Sequence, residues 1–398
     1  MDFVVACNWD ERLVEVAARY GVKELFGKLD RDVVGGGRAS YILPAISRRN
    51  AEKYIRKVQE QGIAFNYLLN GTCLGNREMT RQGINQLRSL IDWASDAGVR
   101  WFTVSIPFVA QVLRRRVPDV HIVVSMMAGV ESVEAARYWE ETGAEVVILF
   151  NVKDFPFIKA LKAKTGLKVE VAANLSCMNR CYQAQHHGNT ASHASNPAGV
   201  GSYCLPLNET RCAVMKVEEP RRIVAGQWVR PEDLHVYESM GVERLKILDR
   251  ISPTEHLERC LEAYSKRAYD GNLALLIPGY RQDRVDGYTS AGRLARTVRA
   301  FLRPGTYNVL KAPRFARRNR PPAFVLDNRA LDGYLDGFLK RDCRNLSCKE
   351  CGYCDRIAKK AVRFEPGERE RFLADGKRNL EELETGSFFT YGPGEWIE

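Results

Sequence analysis

Eight of the chain's eleven cysteines fall into two groups whose spacing points to metal or redox chemistry. The stretch CRNLSCKECGYC, residues 343–354, holds Cys343, Cys348, Cys351 and Cys354. A second stretch, NLSCMNRCYQAQHHGNTASHASNPAGVGSYCLPLNETRC at 174–212, holds Cys177, Cys181, Cys204 and Cys212, with three of the chain's six histidines. Four thiolates brought to one point repel each other unless cations neutralise them. Each group therefore reads as a metal site, either a cubane iron-sulfur cluster or a tetrahedral zinc. The C-x4-C-x2-C-x2-C order of the later group contains the C-x2-C-x2-C core typical of iron-sulfur ligation. A small zinc staple for the carboxyl-terminal tail is the plainer alternative. In the earlier group three, twenty-two and seven residues intervene, the spacing of neither a zinc ribbon nor a zinc finger. His186, His187 and His193 lie beside it and could move protons, replace a thiolate as ligands, or order a long loop. Of the remaining thiols, Cys260 sits at helical spacing in HLERCLEAYSKRAY and reads as core, whereas Cys7 and Cys73 could be packing or chemistry.

Such side chains need a scaffold. The chain has 398 residues, 45% hydrophobic and 27% charged, enough for one large or two domains with a sizeable core and no need of disulfides. No apolar run approaches membrane-spanning length, and the beginning MDFVVACNWDERLVEVAARYG has no basic region, apolar stretch or cleavage site. A cytoplasmic protein with reduced thiols is expected. The net charge of +11 makes an acidic partner plausible without specifying one.

Eight β-rich runs, FVVAC (3–7), VKELFG (22–27), IAFNYLLN (63–70), RWFTVS (100–105), VHIVVSM (120–126), EVVILF (145–150), KVEVAAN (168–174) and RLKIL (244–248), are separated by amphipathic segments such as ISRRNAEKYIRKVQEQ and MTRQGINQLRSLIDWASDA. Apolar strands alternating with helices imply a parallel sheet buried on both faces, and eight repeats imply closure into a (β/α)8 TIM-like barrel. An open doubly wound sheet is the alternative. GGGRAS at 35–40 lacks the spacing of a dinucleotide fingerprint and reads as a loop. The expected organisation is a barrel over 1–270 with a cysteine-rich insertion at 174–212, then a smaller extension over 271–398 carrying a basic arm and the tail quartet. In a barrel the chemistry sits where strands end. These ends carry Cys7, Asn8, Asn70, Ser105, Ser125, Asn151 and Asn174, with Lys246, Asp249 and Arg250 around the eighth. Lys246 and Arg250 could hold a carboxylate substrate. Between Gly287 and Leu326 there is no acidic residue but nine basic ones, among them Arg314, Arg317, Arg318 and Arg320, interleaved with aromatics. Such a run suits RNA, or packs as an arm on the protein's own acidic surface.

The order of these parts, a parallel-barrel first half, the NLSCMNRCYQAQHHGNTASH segment, VRPEDLHVYESMGVERLKILDR and LDNRALDGYLDGFLKRDCRNLSCKECGYC, resembles the peptidase U32 family, the so-called collagenase-like proteases, over most of the chain. That family includes oxygen-independent hydroxylases of ubiquinone precursors and of transfer and ribosomal RNA bases, which bind a 4Fe-4S cluster through four barrel cysteines. The resemblance implies this role for Cys177, Cys181, Cys204 and Cys212. Two departures stand out: the barrel cysteines are spaced differently, and the tail quartet is additional and suggests a second cluster. The expected function is an iron-sulfur enzyme for oxygen-independent hydroxylation, or related redox modification, of an aromatic, nucleobase or biosynthetic precursor at the barrel mouth, with an electron donor as a further partner. A U32-type protease and a metal-stapled RNA-binding protein without redox chemistry are the alternatives. Neither H-E-x-x-H nor G-x-S-x-G occurs in the chain.

Overall fold

The computed structural model describes residues 1–197, 205–280, 295, 298–303 and 306–391. Eight parallel strands close into a barrel: β1 (Asp2–Ala6), β2 (Glu24–Gly27), β3 (Ala64–Leu69), β4 (Trp101–Val104), β5 (His121–Val124), β6 (Ala144–Leu149), β7 (Lys168–Ala172) and β8 (Val242–Ile247). The register between β8 and β1, with Val4 opposite Lys246, completes the ring. Helices α1 (Glu11–Arg19), α2 (Arg48–Glu60), α3 (Arg81–Asp96), α4 (Pro107–Arg116), α5 (Val133–Glu141) and α6 (Phe155–Lys164) return the chain between strands. Each begins where the sequence supplies a terminator. The side chains of Asp10, Ser47, Thr80, Ser132 and Asp154 accept the first free amides of α1, α2, α3, α5 and α6, and Pro107 opens α4. The expected barrel and all eight expected strands are present.

The barrel lumen is polar at its centre. Glu24, Asn66, Thr103, Glu170, Arg244 and Lys246 are buried there. Arg244 Nη2 lies 2.7 Å from Glu24 and its Nε 2.8 Å from Glu170, while Lys246 Nζ is 2.9 Å from the other Glu170 oxygen. Asn66 donates to Glu24 at 2.9 Å and accepts from Thr103 at 2.9 Å. Burial works against the Glu170 charge, but Lys246 and Arg244 outweigh it and hold this carboxyl below its ordinary range. Two carboxylates and two cations thus sit in one neutral, hydrogen-bonded set, the condition under which buried charge is tolerated.

Between β7 and β8 the chain leaves the barrel. The sequence there reads as irregular, yet α7 (Ala184–His193) and α8 (Leu207–Glu218) form, followed by the short α9 (Arg221–Val224) and α10 (Leu234–Ser239). Local propensity in AQHHGNTASH is poor. Tertiary contact supplies what propensity lacks: a Cβ on Gly188 would meet Met127 and Thr72 at 3.2 Å, and Ser192 Oγ accepts from the Thr72 amide at 2.9 Å. After β8 and α11 (Thr254–Lys266) come α12 (Ala312–Arg318), β9 (Phe324–Leu326), α13 (Leu335–Leu339), α14 (Cys348–Cys351), α15 (Tyr353–Ala361), β10 (Val362–Phe364) and α16 (Glu368–Glu384). The extension shares the barrel's core: Leu326, Leu331, Tyr334, Phe338 and Ala361 belong to the same apolar cluster as the barrel strands and helices. The described part of the basic run packs as an arm. Phe315 meets Phe388 at 5.1 Å and Arg318 pairs with Glu382 at 2.7 Å, whereas Arg314, Arg317 and Arg320 are exposed. Residues 287–294, with Tyr288 and Arg293, and Arg296 lie outside the described residues.

Arg230 ties the insertion to the extension, bonding Asn328 at 2.8 Å and pairing with Asp332, and its neighbour Asp233 feels the same surroundings. Burial, opposed by Arg230 and aided by Glu232, pushes the Asp233 carboxyl up to about 6. A raised folded-state value means that the protonated form favours folding. This contribution is full below the unfolded value and is lost as pH rises through about 6. Asp233→Asn is therefore expected to match the wild-type thermal midpoint at pH 4 and exceed it at pH 7.5. Equal midpoints at both pH values would refute the shift.

Candidate active site at the barrel mouth

Lys28, Arg38 and Arg250 lie just past the carboxyl ends of their strands, and the first two are engaged in ion pairs. Lys28, just past β2, lies 2.9 Å from Asp32 and bonds the Gly35 carbonyl. Asp32 in turn accepts from the amides of Val34 and Gly35 at 3.0 and 2.9 Å and from the Tyr67 hydroxyl at 2.8 Å. Arg38 meets Asp249 at 2.7 Å, an ion pair that raises its own pKa. The third, Arg250, is 6% exposed and has no ion pair or side-chain hydrogen bond among the described residues. Burial lowers its pKa, although Asp249, Asp32 and Tyr67 act in the opposite sense. Nearby, Asn70 Oδ1 is buried without a hydrogen-bond partner.

The GGGRAS segment does more than make a loop. It crosses the mouth so closely that a Cβ on Gly35 would come within 2.4 Å of the Ser192 carbonyl oxygen, and one on Gly36 within 2.9 Å of Asn70 Oδ1. Gly35 also has φ +71°, which side chains rarely adopt.

Cys177, Cys181 and Cys212 are neighbours, all half-buried, and Cys177 lies within electrostatic reach of Arg38. Burial first, then the nearby thiols Cys212 and Cys181, push Cys177 up to about 11, with Lys216 and Arg38 acting against the rise. Lys216 hydrogen-bonds Cys212 and lies 5.2 Å from the Tyr280 ring centre. Cys204 lies outside the described residues. Among the described residues no three or more His, Cys, Asp or Glu side chains are arranged to hold a metal ion. The thiols are neighbours within electrostatic reach of one another rather than ligands closed around one point. Of the histidines, His186 meets Asn208 at 3.1 Å and His187 meets Glu209 at 3.2 Å, which ties α7 to α8, while His193 Nε2 is buried without a partner.

The tail quartet stands beside this region. Cys348 is exposed, and Cys343, Cys351 and Cys354 are half-buried. Burial pushes Cys354 up to about 12, with Lys153 opposing and the other three thiols adding to the rise. Asp154 joins the two cysteine-bearing segments, meeting Arg180 at 2.5 Å and Arg344 at 3.1 Å, and these arginines adjoin Cys181 and Cys343.

Lys246 differs from expectation. It points into the lumen, where it is paired with Glu170 and is 4% exposed, so it is not a free cation for substrate. Several polar strand ends serve structure: Asn8 bonds Ser252 and Thr254, and Asn174 bonds the carbonyls of Leu248 and Leu276. Cys260 is fully buried as core. Lys28, Asp32, Tyr67, Arg38 and Lys216 escape sequence reading, because nothing in their spacing says that they meet.

Residues 52–274, more than half of the chain and including the whole first cysteine group, match the family described as peptidase family U32. The chain belongs to peptidase family U32. Among curated relatives it is 24% identical over 336 residues to an uncharacterized protease of Methanocaldococcus jannaschii, covering 83% of this chain and 86% of that protein. It is 23% identical over 270 residues to tRNA hydroxylation protein P1 of Bacillus subtilis, covering 64% of this chain and 60% of that protein. A solved structure, the U32 peptidase Mk0906, aligns at TM-score 0.48 and 20% identity over 63% of this chain and 93% of that one. The tail quartet of this U32 protein lies beyond the matched residues. Among the described residues no helix is long and apolar enough to cross a membrane.

Proposed function

We propose that this U32 protein is an iron-sulfur enzyme that hydroxylates, or oxidatively modifies without oxygen, an aromatic or nucleobase group held at the barrel mouth, with a base of RNA as the favoured substrate. One observation carries the reading: Cys177, Cys181 and Cys212 gather beside two cations, Lys216 and Arg38. The relative named for tRNA hydroxylation supports the choice of reaction and substrate.

Three of the four cysteines of the first group, Cys177, Cys181 and Cys212, act on one another electrostatically beside Lys216, and a set of neighbouring thiols with a cation at hand supports a cluster. When bound, the cluster would supply one-electron chemistry or, at an open iron, a Lewis acid. Cys177, Cys181, Cys204 and Cys212 would hold it, and Cys343, Cys348, Cys351 and Cys354 would hold a second. The chain's own residues do the rest. With its thiol at about 11 when free, Cys177 must release a proton on loading, and Lys216 and Arg38 offset the thiolate charge. Arg250 holds an anionic part of the substrate, and the Lys28, Asp32 and Tyr67 unit keeps the facing wall of the mouth rigid.

Peptide hydrolysis, the activity in the family's description, finds less support. The Cys260 and His256 pair, 3.5 Å apart, is buried at 0% and 3% exposure and out of reach of a peptide. The deciding measurement is metal and sulfide content after anaerobic purification. Two cubanes require about eight irons and eight sulfides per chain. About four would leave one quartet with another role, and colourless protein with stoichiometric zinc would overturn the proposal.

A further inference from the structure

A cleft of about 540 Å³ lies on the rim of the mouth between the segment that follows β2 and one face of α3. Gln82, Asn85, Gln86 and Ser89 line it, and their spacing of i, i+3, i+4 and i+7 puts them in one stripe along the helix. Leu87, Ile91 and Ala94 of α3 are buried in the core, and the buried Leu90 forms part of the cleft floor beside the polar stripe. Arg31 and Arg48 also line the cleft. Both are exposed, and neither is in an ion pair among the described residues. Arg48 is held in place by the Trp93 ring, 5.2 Å from its guanidinium, and Trp93 is fixed by its own bond to Glu52 at 2.6 Å. The acidic group on the lining is Asp32, whose carboxylate is already engaged by Lys28 and Tyr67.

Arginines without counter-ions suit phosphates, and a row of amide and hydroxyl side chains suits the hydrogen-bonding edges of bases. A double helix of RNA hides those edges from side chains, so they are readable only when unpaired. Asp32 lines the cleft and pairs with Lys28 at the mouth, so the two sites share a wall. Resting on the RNA reading of the preceding subsection, we infer that this cleft binds a single-stranded RNA segment flanking the target base: Arg31 and Arg48 take phosphates, and the α3 stripe reads the bases.

The test uses the full chain purified anaerobically with its metal, and a labelled twelve-nucleotide single-stranded RNA of mixed sequence, followed by anisotropy across salt concentrations. Arg31→Gln with Arg48→Gln is expected to weaken binding and to reduce the slope of log affinity against log salt by about 1.4, or about 0.7 for each single-strand phosphate contact. Gln82→Ala with Asn85→Ala is expected to weaken binding by about tenfold with the slope unchanged. Arg115→Gln with Lys164→Gln, at the far ends of α4 and α6, is the control for diffuse electrostatics and is expected to bind as wild type. If wild type binds the RNA but the cleft variants bind equally well, or the control loses as much as they do, the cleft assignment is wrong and the RNA reading stands. If a duplex of the same length binds as tightly as the single strand, the single-strand assignment is wrong. Absence of wild-type binding at low ionic strength would overturn the RNA reading and the cleft with it.

Discussion

Glu170→Gln is expected to cost about 3–5 kcal/mol of folding stability, because it leaves the lumen with one uncompensated positive charge. Glu170 is fully buried and receives both Arg244 and Lys246, at 2.8 and 2.9 Å. A glutamine of the same shape keeps part of the hydrogen bonding but none of the charge. In a thermal scan the loss should appear as a fall of roughly 5–15 °C. The double variant Glu170→Gln with Lys246→Met removes one charge of each sign and restores neutrality, so it is expected to recover most of the loss. A single variant within about 1 kcal/mol of wild type would contradict the reading. So would a double variant no better than the single one, since the cost would then be shape rather than charge.

Cys177→Ala carries the largest functional effect. It is expected to remove one cubane, about four irons and four sulfides per chain, and to abolish modification of RNA. Cys351→Ala is expected to remove a similar amount of iron but only to slow turnover, because its quartet lies outside the mouth. Cys73→Ala, whose sulfur accepts from the Gly75 amide at 3.4 Å and stands apart from both cysteine groups in the sequence, is the matched control and should retain full iron. Activity is read by mass spectrometry of nucleosides from RNA of cells that lack the protein, before and after supply of each variant. Wild-type iron content or wild-type modification in the Cys177 variant would reject the barrel quartet as the reactive centre.

The two cysteine groups stand out from spacing alone as candidate metal sites, since clustered thiols that stay reduced have few other uses. Their surroundings could not. Lys216 meets Cys212 one turn along α8, a helix that begins inside a stretch that reads as loop, and Asp154 bonds both Arg180 and, 190 residues further along the chain from itself, Arg344. Arg250 was visible as a strand-end cation, but Lys246 looked equally available until Glu170 was found beside it. Strand periodicity shows which side chains face inward. It does not show which strand two or more repeats away supplies the partner.

What the sequence determined by itself was the scaffold. Eight apolar strands alternating with capped amphipathic helices have one economical way to bury both faces of each strand, and closing the ring places every loop after a strand on one rim. Local patterns suffice for this because burial acts on each element separately. Tertiary structure alone decided the rest: that α7 is a helix, through Gly188 and Ser192 against Thr72 and Met127; that Gly35 and Gly36 lie against Ser192 and Asn70; that Lys246 is neutralised by Glu170; and that the polar stripe of α3 faces Arg31 and Arg48 across a cleft. Each depends on which groups meet after the chain has closed. Pairing of charges and close approach of backbones are properties of distance in space, which the spacing of residues along the chain does not encode.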